Sequence, residues 1–213
     1  MRAERVKVID DRHDWPSTWW SIPLGALAGC ALGVAARVWM RWISTEPEFS
    51  WGGTIGIVAS FGVFGAAQSA AAIARRRCVR PSAVAWARAA AALLSLGLFG
   101  AAGAVMLPTV LFGSLAVWRP SAPRAIRAIF AVLALPGVAF VSVGIVDDHG
   151  WSVVSIGRIV AFLAIYAAVV AATWPTTAPV LDGWRPSRRL VVAVGLVIAA
   201  FVGAALWFGG IQT

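Results

Sequence analysis

Apolar runs alternate with short polar or charged stretches along most of the chain, after a polar beginning. A helix needs roughly 20 residues, at about 1.5 Å each, to cross a hydrocarbon core of roughly 30 Å. This length predicts seven membrane spans, at residues 19–41, 52–74, 82–102, 104–118, 128–146, 152–173 and 189–208. The expected fold is therefore all-α, a polytopic transmembrane helix bundle over 19–208, with a cytoplasmic arm at 1–18 and a short outer tail at 209–213.

The number of spans depends on how the almost uncharged stretch from Ala83 to Trp118 is interpreted. It contains 36 residues with Arg88 as its only charge, which is too long for one helix across the membrane. Glycines that favour a tight turn lie in the middle of the stretch, at Gly97, Gly100 and Gly103. We interpret the stretch as a hairpin of two spans, of which the second is short.

Small residues and prolines mark positions where helices are expected to pack closely or to bend. Glycines recur every four residues in the first span, at Gly25, Gly29 and Gly33, and a second such pattern begins with Gly52 and Gly56. This spacing favours close approach of two helix backbones in a membrane. Pro136-Gly137 and Pro108 favour kinks in the fifth and fourth spans.

The composition supports a membrane protein. Hydrophobic residues make up 60% of the chain, charged residues 13%, and the mean hydropathy is +0.82, values far outside the range of soluble domains. The formal net charge is +9, but the basic residues lie in clusters between apolar runs, so we expect them to orient the protein and not to bind nucleic acid. Every basic residue except Lys7 is arginine, which favours a high-GC bacterium and its inner membrane.

The basic clusters also assign the two sides of the membrane, because arginines near span ends collect on the cytoplasmic side. With seven spans and a cytoplasmic N-terminus, three loops place their arginines on that side: Arg75, Arg76, Arg77, Arg80, Arg119, Arg124, Arg127, Arg185, Arg188 and Arg189. A single span in place of the hairpin would move the later clusters outside. The predicted topology therefore has the N-terminus in the cytoplasm and the C-terminus outside.

The turn after the first span holds the densest set of groups able to do chemistry. Arg37 and Arg41 are four residues apart and project from one face of the first helix. Glu46 and Glu48 follow in the turn. An arginine within the hydrocarbon must snorkel, pair or face water, so we expect Arg37 to need a partner.

A second set of charged residues is predicted on the same side, around the start of the sixth span. Asp147, Asp148 and His149 precede that span, and Arg158 lies about two turns inside it. If the first and sixth spans are neighbours, all eight residues surround one outer vestibule. Two interpretations stay open: an ion-paired network that locks the helix ends together, or a polar ligand-binding pocket.

Motifs for catalysis are not found in the sequence. Its two histidines, His13 and His149, are predicted on opposite sides, which excludes a site with two histidine ligands. We find no nucleophile elbow and no phosphate-binding loop. A metal held by Asp147, Asp148 and His149 with Glu46 or Glu48 is an alternative, but adjacent acids in a loop are usually only solvated, and ligand type alone is weak evidence for a metal site. We therefore predict no catalytic residue, no metal and no cofactor.

Three functions are consistent with these observations. The first is a small transport or channel-like protein whose outer vestibule binds an anionic or zwitterionic solute or lipid head group. The second is a non-catalytic subunit that packs against a membrane-protein partner or forms a homo-oligomer. The third is a membrane enzyme that uses the outer carboxylates and His149, and we rank it last. In all three the protein's main partner is the lipid bilayer.

Overall fold

The computed structural model describes residues 20–44, 50–77 and 80–179, and within these the regular structure is helical. The helices are α1 (Ser21–Ile43), α2 (Trp51–Arg77), α3 (Pro81–Ala102), α4 (Leu107–Trp118), α5 (Arg124–His149), α6 (Val153–Ala172) and the one-turn α7 (Trp174–Thr177). A 3₁₀ turn, Ala104–Met106, joins α3 to α4. These helices belong to one compact unit that ends at Ala178. The predicted arm at 1–18, Glu46, Glu48 and the predicted seventh span lie outside the described residues.

Five of the described helices, α1, α2, α3, α5 and α6, are long and apolar enough to cross a membrane. The apolar segment Ala104–Trp118 is shorter. The all-helical class is therefore confirmed, and the five candidate spans fit a multi-pass membrane protein. The total of seven spans and the orientation of the termini stay predictions. The stretch predicted as a hairpin does fold into two helices, α3 and the shorter α4, with a turn at Gly103, but whether both cross the membrane stays a prediction.

The helix ends define two ends of the bundle. At one of them α1 and α5 end, and α2 and α6 begin; we call it the carboxylate end because it holds Asp147 and Asp148. At the other, the basic end, α2 ends at Arg77 and α5 begins at Arg124. Among the described residues, aspartate occurs only at the carboxylate end and glutamate at neither.

Helices α1 and α2 touch backbone to backbone through the predicted glycine repeat. A Cβ atom built on Gly29 would lie 2.1 Å from the carbonyl oxygen of Phe61, and one on Gly65 would lie 2.0 Å from that of Gly25. Such close approach strengthens van der Waals packing where lipid removes the hydrophobic drive. Gly56 has no neighbour within 4 Å, so the helix contact uses Gly65 and not the predicted second repeat.

Candidate functional site

Helices α1 and α6 are neighbours at the carboxylate end, which was the condition for a shared vestibule. The indole Nε1 of Trp39 donates a hydrogen bond of 2.8 Å to the backbone carbonyl of Arg158. The buried Trp39 ring also stacks on Phe162, with ring centroids 5.1 Å apart. The Trp39 indole therefore fixes the height of α6 against α1 through a main-chain atom.

Among the described residues, the side chain of Arg158 lies against an aromatic ring and is not paired with a carboxylate. Its guanidinium carbon is 5.9 Å from the centroid of the Trp42 ring, a cation–π arrangement. Its Nε atom is buried and has no hydrogen-bond partner among the described residues. A buried donor that lacks an acceptor costs about 1–3 kcal/mol. Arg158 is therefore a group that an incoming acceptor would stabilise.

The other two arginines at the carboxylate end, Arg37 and Arg41, are held by partners of their own. Arg37 donates from Nε to the hydroxyl of Thr54 at 3.1 Å, and Thr54 donates to the carbonyl of Ser50 at 2.9 Å. The partner that the sequence required for Arg37 is thus the first turn of α2. Arg41 is exposed in the last turn of α1 and also has an interaction partner. The partners of Arg37 and Arg158 among the described residues are neutral. Glu46 and Glu48 lie outside these residues, so the ion-paired network and the ligand-binding pocket both stay open as interpretations.

A groove of about 520 Å³ runs along α5 at the carboxylate end. Most of its lining is apolar and comes from one residue of α1, Ile43, and six of α5: Ala139, Phe140, Val141, Val143, Gly144 and Ile145. The polar part of the lining is the end of α5, with Asp147, Asp148 and His149. The Nδ1 atom of His149 is buried and has no hydrogen-bond partner among the described residues. The groove therefore offers an apolar body and a polar mouth.

The predicted site residues thus fall into separate groups. Asp147, Asp148 and His149 line the groove. Arg158 packs on Trp42, whose chain neighbour Ile43 is the α1 residue of the groove. Within the described ranges, no group of three or more His, Cys, Asp or Glu side chains is placed to hold a metal ion.

Gln68, a polar residue within the second predicted span, joins three helices through a buried polar network. Gln68 donates to the hydroxyl of Ser95 at 3.0 Å and accepts from the hydroxyl of Thr176 at 3.2 Å. These residues come from α2, α3 and α7, and 27 and 108 positions separate Gln68 from its partners. Because the residues are distant in the sequence, no local pattern marks them.

Two arginines hold α7 in place at the basic end. Arg88 donates from Nε to the carbonyl of Thr176 at 2.9 Å. Arg75 donates to the carbonyl of Ala178 at 2.8 Å and lies over the ring of Trp174 at 4.9 Å. Arg88, the single charge in the third predicted span, therefore binds one main-chain oxygen of α7, next to the end of α6.

We expect replacement of Arg88 by methionine to lower the free energy of unfolding by about 1–3 kcal/mol, because the Thr176 carbonyl loses its guanidinium donor. The matched control is Arg124→Met, since Arg124 is exposed at the first position of α5. The measurement is the unfolding midpoint in detergent, followed by tryptophan fluorescence. Equal midpoints for the two variants would show that the Arg88 contact adds nothing to stability.

Comparison with known proteins finds no family that the chain matches, and no curated protein or solved structure that resembles it. What the protein binds therefore has to follow from the chemistry of its own groove and helix ends. The relevant groups are the apolar wall of α5, the two carboxylates at its end and the guanidinium of Arg158.

Proposed function

We propose that the protein is a small transport protein of a bacterial inner membrane and binds a zwitterion with an apolar body at the carboxylate end. The observation that carries the proposal is the groove along α5, which is apolar from Ala139 to Ile145 and ends in Asp147, Asp148 and His149. Small-molecule sites are typically clefts of about 300–1,000 Å³ that combine apolar walls with a few polar groups. A groove of about 520 Å³ fits that description.

Charge favours a zwitterion over a simple anion. The carboxylates of Asp147 and Asp148 at the groove mouth attract a cationic group such as an ammonium. The free Nε of Arg158 suits a carboxylate or phosphate, which accepts strong charge-assisted hydrogen bonds. Arg37 and Arg41 already have partners, so the arginine that serves an anionic group is Arg158.

The carboxylate end is proposed to face outwards, as the arginine clusters predict. A ligand with separate cationic and anionic groups exists both as a free solute, such as an amino acid, and as a lipid head group. Both sources share the chemistry that the groove and Arg158 provide. An experiment on binding has to separate them.

The test measures thermal unfolding of the purified protein in mild detergent with added ligands. Leucine is compared with 4-methylpentanoate and 3-methylbutylamine, which carry one charge each on a similar apolar body. Dihexanoyl phosphatidylethanolamine represents the lipid source. We expect a zwitterion to raise the midpoint more than either singly charged compound, and the comparison of leucine with the short-chain lipid identifies the source.

Two variants connect that stabilisation to the site. Arg158→Gln should weaken binding by about 10- to 100-fold, because a hydrogen bond to a charged group contributes about 1.5–3 kcal/mol. The fold contact made by Trp39 should remain, since it goes to the backbone of residue 158. Arg124→Gln, at the basic end, is the control. Equal stabilisation by all compounds, or unchanged affinity in Arg158→Gln, would refute the proposed function.

A further inference from the structure

The tip of the α3–α4 hairpin exposes main chain that lies outside the regular α-helical bonds. Gly103 has a φ of +105°, a conformation that other residues rarely adopt. The turn is closed by one hydrogen bond of 3.3 Å, from the Met106 N–H to the Gly103 carbonyl. Gly103, Ala104 and Val105 are all exposed. The depth of this tip in the membrane therefore determines whether its exposed main chain needs a polar environment around it.

The packing of α3 on α2 gives a first measure of its depth. The two helices are antiparallel, and Gln68 of α2 is level with its hydrogen-bond partner Ser95 of α3. In antiparallel helices, each step forward along α3 corresponds to one step back along α2. Gly103 lies eight residues after Ser95 and is therefore level with Ser60, eight residues before Gln68. Ser60 is nine residues from Trp51, where α2 begins, which corresponds to about 14 Å at 1.5 Å per residue.

The packing of α4 on α5 gives a second, independent measure. Three contacts share one antiparallel register: Thr109 with the carbonyl of Ala134 at 2.9 Å, Arg127 with the carbonyl of Ala116 at 3.0 Å, and Phe112 stacked on Phe130. This register places Gly103 level with Phe140. Phe140 is nine residues from His149, where α5 ends, so the tip is again about 14 Å short of the carboxylate end.

A distance of this size places the tip inside the membrane. Helices α2 and α5 have 27 and 26 residues, which makes each about 40 Å long. Centred on a hydrocarbon core of about 30 Å, they extend about 5 Å beyond it at either end, so the tip lies about 9 Å below the hydrocarbon surface. Non-helical backbone at membrane depth is tolerated only where it is covered by protein or lines a water-filled cavity.

The groove on α5 reaches the depth of the tip, and the charged and polar residues at its mouth, Asp147, Asp148 and His149, favour entry of water from the carboxylate end. Its lining begins at Ala139, which the α4–α5 register places level with Ala104, and it continues to His149 at the carboxylate end. Along the length of the bundle, the groove therefore begins at the level where the hairpin ends. We propose that α3 and α4 form a re-entrant hairpin whose tip, Gly103–Val105, is the floor of a water-filled vestibule that opens at the carboxylate end.

This vestibule would give a solute access to the interior of the membrane from one side. In this arrangement neither α3 nor α4 crosses the membrane. It rests on helix registers and exposed main chain and not on solute binding, so it can hold even if the proposed ligand is wrong. Next to the tip, Met106 is buried in one apolar cluster with Trp39 and Phe162.

The test is cysteine modification in nanodiscs, where reagents reach both membrane surfaces. Cys30 and Cys78 are first replaced by serine, and single cysteines are then placed at Ala104, at Leu135 and at Trp151. Leu135 is a 58% exposed position on the deep part of α5, and Trp151 is 81% exposed in the loop at the carboxylate end. Two reagents are used: a small anionic methanethiosulfonate, and a maleimide on a long polyethylene glycol chain.

We expect Ala104→Cys to react with the small reagent more than about tenfold faster than Leu135→Cys, because a thiol in lipid does not form the reactive thiolate. The large reagent should modify Trp151→Cys and leave Ala104→Cys unmodified. If Ala104→Cys is as unreactive as Leu135→Cys, the tip is covered by protein or lipid and the vestibule is refuted. If it reacts with both reagents, the tip is at the membrane surface and the hairpin is not re-entrant.

Discussion

Replacement of Gly65 by alanine is expected to lower the free energy of unfolding by about 1–3 kcal/mol or more, the usual cost of overpacking. The added methyl group would lie 2.0 Å from the carbonyl oxygen of Gly25. Because that oxygen belongs to the main chain of α1, no side-chain rotation relieves the clash, and the two helices must separate. Their separation would also weaken the bond between Arg37 and Thr54, which joins the same two helices.

The control for this experiment is Gly56→Ala, on the same helix. Gly56 has no neighbour within 4 Å, and alanine is the better helix former by about 1 kcal/mol. Unfolding is followed by the fluorescence of the 12 tryptophans during titration with a denaturing detergent. We expect Gly56→Ala to unfold at or above the midpoint of the unaltered protein and Gly65→Ala well below it. Identical midpoints would mean that α1 and α2 do not touch at Gly65.

Replacement of Gly137 by alanine is expected to displace the hairpin tip from α5. A Cβ atom at this position would lie 2.6 Å from the hydroxyl oxygen of Thr109 and 2.8 Å from the carbonyl oxygen of Val105. The clash with Val105 again involves main chain, so the tip must move. We expect a loss of about 1–3 kcal/mol in unfolding free energy, together with a changed modification rate of a cysteine at Ala104.

Gly100→Ala provides the comparison, because Gly100 lies three residues before the turn and has no neighbour within 4 Å. It changes the same hairpin without affecting the contact with α5. A Gly137→Ala protein with normal stability and a normal modification rate would show that α5 does not support the tip. The modification rate separates a displaced tip from a general loss of stability, since it is measured on folded protein.

Much of the fold was predictable because the membrane imposes a length on each apolar helix. The predicted spans 52–74 and 152–173 lie within a few residues of α2 and α6. The hairpin shows what helix length and the arginine clusters together do not predict, which is whether a pair of helices crosses the membrane. A crossing hairpin and a re-entrant one both return the chain to the side it came from, so the arginine clusters on either side of the hairpin are placed equally well by both.

The site was less predictable because its contacts join residues that are far apart in the chain. Asp147, Asp148 and His149 do share a groove, but Arg37 is bound by a threonine 17 residues away. Periodicity could not choose between glycines either. Gly56 and Gly65 lie on the same helix, and only the position of α1 shows that Gly65 is the contact.

The hydrogen bond from Trp39 to residue 158 goes to a main-chain oxygen, which every amino acid possesses. The height of α6 is therefore independent of which side chain residue 158 carries. Natural or designed variants could exchange arginine at this position for a neutral or acidic residue and keep the same helix packing. Under the proposed function, the preference for a solute could therefore change while the helix packing stays the same.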